Sequence, residues 1–299
     1  MYILEYYARS TEYTEFSTFP GIFLRGAFFK ILKDSNPNIA TQIHESKKIA
    51  PYSIKSLEEL HDEKSRIVFK KVEANALTRF SFIFLKEDFY ERFRDEFYIG
   101  SLLIGGKPFI VREIKVKRIS FKDLEKSIKE VPVKFSIAFL TPTAFRLPVT
   151  NCCKHCHVYK RYKMRTTRKD KEIIDLIATI KNRRGVTYPL PDIKLLFYNT
   201  IKILGVYEQI DFDLEGFNDW LDLESIVISG FEDGIKTMVL YEHETSKKFF
   251  KGFIGKVNFA FRHINDKYMR IAYTLLRYGE IINVGSNRTA GCGMIKLLY

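Results

Sequence analysis

The sequence predicts an α+β fold of two tandem ferredoxin-like units, also described as RNA-recognition-motif-like. Three observations support this prediction. Each half of the chain alternates strand-like and helix-like segments in the order strand–helix–strand–strand–helix–strand. The length of 299 residues suits two domains. The 46% hydrophobic content is enough to bury two cores. We place the boundary after residue 130, giving domains over 1–130 and 131–299.

The first half contains one complete set of these elements. Alternating apolar residues predict strands at Met1–Ala8, Arg66–Val72, Leu77–Leu85 and Pro108–Phe121, the second and third forming a hairpin. Apolar residues at helical spacing predict helices at Pro20–Lys33, Ile39–Lys47 and Glu87–Phe97. Pro20 suits the first turn of a helix, because proline lacks the N–H that a first turn leaves unpaired.

The second half repeats the order less regularly. The predicted strands are Val131–Ala144, Leu221–Gly230, Lys236–Glu242, Gly252–Arg262 and Met294–Tyr299. Helices are predicted at Asp192–Tyr207, after two prolines, and at Asp266–Tyr278. A glycine-rich segment then separates the last helix from the last strand.

Charge and cysteine content restrict the class of protein. The formal net charge of +13 favours a polyanionic partner, although a lysine-rich solvated surface is the alternative. The apolar runs are too short for a membrane span, and the amino terminus does not resemble a signal peptide. Three of the four cysteines lie within Cys152–Cys156, which is no disulfide framework. We therefore expect a cytoplasmic protein without a membrane contact.

The glycine-rich segment is the first candidate binding site. Glycine permits positive φ angles, and successive N–H groups in such a loop can hold an anion. A phosphate is the expected guest, with Arg288 as its ion-pair partner and the N–H groups near Gly285 and Gly291 as its cradle. A tight turn required only by the fold is the alternative. The residues that we expect to contact it are Gly285, Ser286, Asn287, Arg288, Thr289, Gly291 and Gly293.

A second candidate surface is the basic segment Asn151–Lys171. Cations interleaved with aromatic residues can follow a phosphate backbone and stack bases. The four cations that we single out are Lys160, Arg161, Lys163 and Arg165. A solvated loop without a partner is the alternative. Cys152–His157 has the residue types of a zinc site, but a second cysteine pair is missing, so we expect no metal.

Several motifs, in this order, carry a resemblance to a known family. They are the Asn-Pro-x-x-Ala-x-x-x-His-Glu stretch within Asp34–Lys47, Leu140–Thr143, Tyr188–Pro191, Gly252–Val257 and the glycine-rich segment. In them the chain resembles the CRISPR repeat-processing endoribonucleases, of the archaeal type, which have paired ferredoxin-like domains. The resemblance covers nearly the whole chain in patches.

The resemblance implies the substrate and the reaction. The substrate is CRISPR repeat RNA, which is cut once without a metal or other cofactor. The ribose 2′-OH attacks the adjacent phosphate and leaves a 2′,3′-cyclic phosphate and a 5′-OH. Other CRISPR-associated proteins are further expected partners, and a homodimer is one alternative for the oligomeric state.

The resemblance also implies the catalytic residues. His44 matches the catalytic histidine of the Asn-Pro stretch, and imidazole titrates near neutral pH. Lys48 lies close to the family's active-site lysine, with Lys47 as an equal chemical candidate. The family's tyrosine on the first helix corresponds to Phe29, which lacks the hydroxyl. Arg25 on the same helix is the cation that we expect to compensate.

Two other functions are alternatives at this stage. The missing hydroxyl and the basic segment also suit a non-catalytic subunit that holds guide RNA within an effector complex. A DNA-binding replication factor is a third reading, because ferredoxin-like folds serve many functions. Cleavage of repeat RNA, and preference for it over duplex DNA, distinguish the three.

Overall fold

The computed structural model of the protein describes residues 1–46, 48–61, 64–147, 186–242 and 249–298. In the first half the strands are β1 Tyr2–Ser10, β2 Thr14–Glu15, β3 Tyr52–His61, β4 Lys64–Ile67, β5 Lys71–Val72, β6 Leu77–Phe84, β7 Ser101–Ile104 and β8 Lys107–Arg118. The helices there are α1 Pro20–Ser35, α2 Pro37–Glu45, α3 Glu87–Phe93 and α4 Phe121–Ser127, with a 3₁₀ turn at Asp95–Phe97.

The second half has its own set of elements. Its strands are β9 Lys134–Thr143, β10 Phe145–Leu147, β11 Val186–Tyr188, β12 Ile226–Glu242, β13 Phe249–Phe261 and β14 Ile295–Leu298. Its helices are α5 Ile193–Tyr207, α6 Leu214–Asp222 and α7 Asp266–Ile282, and a 3₁₀ turn covers Arg288–Ala290.

Both main sheets have the ferredoxin-like strand order. The first runs β4-β3-β6-β1-β8-β7 and the second β12-β13-β9-β14, and every neighbouring pair is antiparallel. Numbered within its own unit, the central order is 2-3-1-4 in each sheet. This is the result of two interleaved strand–helix–strand connections. The predicted α+β fold of two ferredoxin-like units is confirmed.

The second strand of the first unit differs from the prediction. The sequence was expected to pair Arg66–Val72 with Leu77–Leu85, but β6 pairs with β3 instead. The expected strand is divided between β4, at the edge of the sheet, and β5, which pairs with β2. The predicted hairpin was therefore wrong. The strand that pairs with β6 is β3, and its charged residues interrupt the apolar alternation from which a strand is predicted.

The second unit differs from the prediction in three places, one of which is the short strand pair β10 and β11, which was not expected. The strands expected at Leu221–Gly230 and Lys236–Glu242 are one long strand, β12, interrupted by register shifts rather than by a turn. Helix α6 was not expected. The long hairpin of β12 and β13 reaches the first unit, where Thr18 Oγ1 donates a hydrogen bond to the Leu240 carbonyl at 3.1 Å.

Two apolar cores lie between the sheets and the helices. One lies between the first sheet and α1, α2 and α3. The other lies between the second sheet and α5, α6 and α7, and it includes Met1, Ile83 and Leu85 from the first unit. The two units are thus joined by apolar contact. The boundary that we predicted after residue 130 falls between α4 and β9, and it stays a prediction.

Candidate active site

His44 lies at the end of a tight helical hairpin. Asn36 separates α1 from α2, and its side-chain oxygen accepts the backbone N–H of Ile39 at 3.1 Å, which caps α2. Pro37 occupies the first helical position. Ala40 of α2 is buried against the first core, while His44 lies on the exposed side, in the last turn. The helix thus presents the imidazole to solvent.

Phe29 brings the candidate base and the candidate cation together. The ring of His44 meets the ring of Phe29 edge to face, with centroids 5.3 Å apart. The guanidinium carbon of Arg25, one turn back on α1, lies 5.7 Å from the centroid of the same ring. Phe29 also meets Tyr52 at 5.8 Å. An imidazole and a guanidinium therefore flank one aromatic side chain.

Lys48 lies in the segment that leads from α2 to β3. Its side chain is exposed, and its backbone N–H donates to the Ser46 hydroxyl at 3.1 Å. The next two residues are anchored: the Tyr207 hydroxyl donates to the Ile49 carbonyl, and Arg288 donates to the Ala50 carbonyl. Lys47, the alternative candidate, lies outside the described residues.

Arg288 is not placed where we expected it. Its side chain is 6% exposed, and Nη1 donates to the Tyr52 carbonyl at 2.6 Å while Nη2 donates to the Ala50 carbonyl. A guanidinium that is buried and bonded in this way is not presented to a phosphate. We therefore correct the direct phosphate contact expected of Arg288.

The backbone of the glycine-rich segment is likewise bonded within the protein. The N–H of Gly285 donates to the Asn199 side chain at 2.8 Å, that of Ser286 to Ala144 at 2.8 Å, and that of Gly293 to Pro142 at 3.2 Å. The N–H of Gly291 donates to Arg288 at 3.3 Å. The expected anion cradle is therefore occupied by protein acceptors, and this expectation is corrected too.

Close packing explains a glycine at 293. Its φ is +74°, and a Cβ atom there would lie 1.8 Å from the Val284 carbonyl oxygen. The segment is thus a tight connection between α7 and β14. Of the expected binding residues, Asn287 is exposed, while Ser286 and Thr289 are partly exposed.

Two other candidate sites fall outside the described residues. They are the basic segment with Lys160, Arg161, Lys163 and Arg165, and the Cys152–His157 cluster. None of the helices that the structure describes combines the length and the apolar character that crossing a membrane requires.

Comparison with solved structures defines the fold class. Thermus thermophilus Cas6 (TTHB231), in a product complex, superposes with a TM-score of 0.67 at 14% identity, covering 99% of each chain. A product complex of Cas6 (TTHA0078) gives a TM-score of 0.66 at 18% identity over 100% of each chain. A protein of a Cas6-related gene from Pyrococcus furiosus gives 0.54 at 12% identity, covering 100% of this chain and 98% of that one. These likenesses show the tandem ferredoxin-like fold of Cas6 proteins.

Sequence comparison then identifies the family. The family model of the CRISPR-associated endoribonuclease Cas6 matches residues 137–295, more than half of the chain. The chain belongs to this family, and it is accordingly an endoribonuclease that processes CRISPR RNA. The family resemblance inferred from the motifs is confirmed, while an archaeal origin stays a prediction. No curated protein sequence gave a significant match.

Proposed function

We propose that this protein cleaves CRISPR precursor RNA within the repeat, without a metal, by attack of the ribose 2′-OH on the adjacent phosphate. The observation that carries this proposal is the meeting of His44 and Arg25 on the ring of Phe29. It places an imidazole, which can accept or donate a proton, and a guanidinium on one surface of the first unit. In-line attack on a phosphodiester needs both.

Each candidate has one role in this reaction. His44 takes the proton of the 2′-OH while the oxygen bonds to phosphorus. The bond from phosphorus to the 5′-oxygen then breaks, and the ammonium of Lys48 gives that oxygen a proton. Arg25 stabilises the extra negative charge of the pentacoordinate phosphorane. The products are a 2′,3′-cyclic phosphate and a 5′-OH, so atoms and charges balance.

The proposed partner is repeat RNA, held by the basic surface of the protein. The net charge of +13 favours a polyanion. One solved structure of the same fold is a RAMP protein binding different RNA substrates, with a TM-score of 0.53. On this chain we propose contacts from Ser286, Asn287 and the basic segment around Lys160. A cytoplasmic location, other CRISPR-associated partners and a homodimer stay predictions.

The test is cleavage of end-labelled repeat RNA in EDTA. We expect wild-type protein to cut once, and His44→Ala to cut at least about 100-fold more slowly, the usual contribution of a general acid or base. His61→Ala, an exposed histidine of the same unit, serves as the matched control. A repeat with a single 2′-deoxy substitution at the cut site is expected to bind and stay intact.

Cleavage of the deoxy substrate would contradict 2′-OH attack. Cleavage by His44→Ala at the wild-type rate would remove His44 from the mechanism. A wild-type protein that binds the repeat and leaves it intact would support the non-catalytic guide-RNA-binding subunit instead.

A further inference from the structure

Arg288 is a buried cation without an acidic partner in the described part of the chain. The titratable groups around it are the phenols of Tyr207, Tyr278 and Tyr52, and burial lowers its pKa to about 10. A buried charge is costly unless its hydrogen bonds are made. Here the two backbone carbonyls of Ala50 and Tyr52 accept them. A buried guanidinium adds nothing to the charge of the protein surface, so its burial indicates a structural role for Arg288.

Those carbonyls belong to the segment that carries Lys48. This segment joins α2, which ends one residue after His44, to β3, which begins at Tyr52. Three of its carbonyls, those of Ile49, Ala50 and Tyr52, accept hydrogen bonds from side chains of the second unit. The path of the chain beside the candidate active site is therefore fixed by the other unit.

The two residues after Arg288 touch the helix that carries Arg25. The Tyr52 hydroxyl lies close to both Thr289 and the Arg25 guanidinium. Ala290 packs so closely on α1 that a Cβ atom at Gly21 would lie 2.2 Å from its carbonyl oxygen. One turn thus contacts both chain segments that hold the candidate catalytic side chains.

We propose that the turn Arg288–Ala290 positions the cleavage site of the first unit, and that the guanidinium of Arg288 does not contact RNA. Arg288 holds the segment that carries Lys48, and Thr289 holds Arg25 through the hydroxyl of Tyr52. Arg288 and Thr289 are therefore positioning residues. This inference rests on the proposed cleavage function, because it concerns the placement of the same side chains.

The test separates positioning from phosphate binding. Arg288→Lys keeps the positive charge but replaces the planar fork with a single ammonium group. We expect its single-turnover cleavage rate at saturating protein to fall about ten-fold or more, since small displacements of catalytic groups are costly. Its Kd for 2′-deoxy repeat RNA, and the salt dependence of that Kd, are expected to stay at wild-type values.

A phosphate contact gives the opposite pattern. If Arg288 contacted a phosphate, replacing its planar fork by one ammonium would weaken binding of the deoxy repeat, and Arg288→Gln, which removes the charge, would also lower the salt slope by about 1. That result, or a wild-type cleavage rate in Arg288→Lys, would overturn the inference. Glu215→Ala is the control, because Glu215 is an exposed residue of the second unit that lies on α6, outside the turn. Its cleavage rate is expected to match that of wild type.

A readout independent of RNA completes the experiment. Hydrogen exchange of peptides that cover residues 48–56 is expected to accelerate in Arg288→Lys and to stay unchanged in Glu215→Ala. Unchanged exchange in Arg288→Lys would overturn the inference even if wild type does not cut RNA. Should Arg288→Lys fail to fold, Tyr52→Phe, which removes the hydroxyl beside Arg25, and Thr289→Val, which removes the hydroxyl beside Tyr52, are expected to slow cleavage with unchanged Kd.

Discussion

Phe29 stands at the position where the family resemblance implies a tyrosine, and its ring contacts His44, Arg25 and Tyr52. The missing hydroxyl is not replaced on α1. A hydroxyl does reach Arg25, however, from Tyr52 on β3. Burial raises the pKa of Tyr52, so this phenol stays protonated at neutral pH and acts through hydrogen bonds. At this scale the site is organised around an aromatic ring.

The first prediction removes that ring. Phe29→Leu keeps the apolar bulk but loses the surface on which His44 and Arg25 meet. We expect the single-turnover cleavage rate to fall about ten-fold, because both groups lose their common support. The melting temperature is expected to change little, since Phe29 is only partly buried.

Phe29→Tyr is the control for this prediction, because it keeps the ring. Its rate is expected to equal or exceed that of wild type. A Phe29→Leu protein that cuts at the wild-type rate would show that the ring has no part in placing the two groups.

The sequence identified some of these residues and misjudged others. His44 follows from a local motif, and its exposed position can be derived from helical spacing. The role of Arg288 could not be derived in this way, because burial depends on Ala50 and Tyr52, which are far away in the chain. An arginine among glycines is compatible with both a phosphate contact and an internal hydrogen bond.

At the scale of elements, α6 illustrates how local contacts fix a helix that the sequence analysis missed. Asp213 caps α6 by accepting the Gly216 N–H at 2.9 Å, and its other oxygen accepts Lys267 at 3.0 Å and the Tyr268 hydroxyl at 2.9 Å. The Gly216 hydrogen bond, with those of Lys267 and Tyr268, lowers the pKa of Asp213 to about 2. One exposed carboxylate thereby joins the start of α6 to the start of α7.

The second prediction concerns the pH dependence of this contact. A carboxyl whose pKa is lowered in the folded state stabilises the fold above its ordinary pKa, and this stabilisation is lost as the pH falls through the folded value. We expect Asp213→Ala to melt at a lower temperature than wild type at pH 7. The difference is expected to shrink as the pH is lowered from about 4 to about 2, the range set by this shift.

Asp213→Asn is the control, because it keeps the cap but not the charge, and its melting temperature is expected between the other two. A gap between Asp213→Ala and wild type that stays constant down to pH 2 would contradict the assignment.

Strand β3 shows why the sequence analysis failed at one element. Its residues Lys55, Glu58 and Glu59 interrupt the apolar alternation, and no strand was predicted there. In the fold Lys55 bonds to the Glu280 carbonyl of the second unit, and the buried Glu59 pairs with Arg66 at 2.6 Å. Polar residues that are satisfied by partners distant in sequence conceal a strand from its alternation pattern. The five helices that were predicted, whose periodicity is local, lie within a few residues of α1, α2, α3, α5 and α7, while α4 and α6 were missed.

For the molecule as a whole, the structure depends on packing between the two units as well as on the fold of each unit. The second core includes residues of the first unit, and α1 meets the turn Arg288–Ala290 at Gly21. The repeated topology could be predicted because each unit follows the same order of elements. The way in which the units pack could not, because it depends on side chains from both halves.

The third prediction tests this packing with two glycines of one helix. A Cβ atom at Gly21 would lie 2.2 Å from the Ala290 carbonyl oxygen, while one at Gly26 has no atom within 4 Å. We expect Gly21→Ala to lower the free energy of unfolding by about 1–3 kcal/mol, the usual cost of overpacking. Gly26→Ala is expected to raise it by about 0.5–1 kcal/mol, because alanine favours the helix.

Chemical denaturation of both variants measures these changes. Cleavage is expected to fall in Gly21→Ala and to stay normal in Gly26→Ala. Equal stability of the two variants would contradict close contact between α1 and the turn.

The hydrogen bonds from Arg288 to Ala50 and Tyr52 also have a consequence for folding of the chain during its synthesis. A ribosome synthesises His44, Arg25 and Lys48 early and Arg288 only much later, and domains fold in this order during synthesis. The first unit can therefore fold around its core before Arg288 is available to hold the segment that carries Lys48. On the proposed role of Arg288, a nascent chain or a fragment that stops before the second unit carries the chemical groups of a nuclease without its activity.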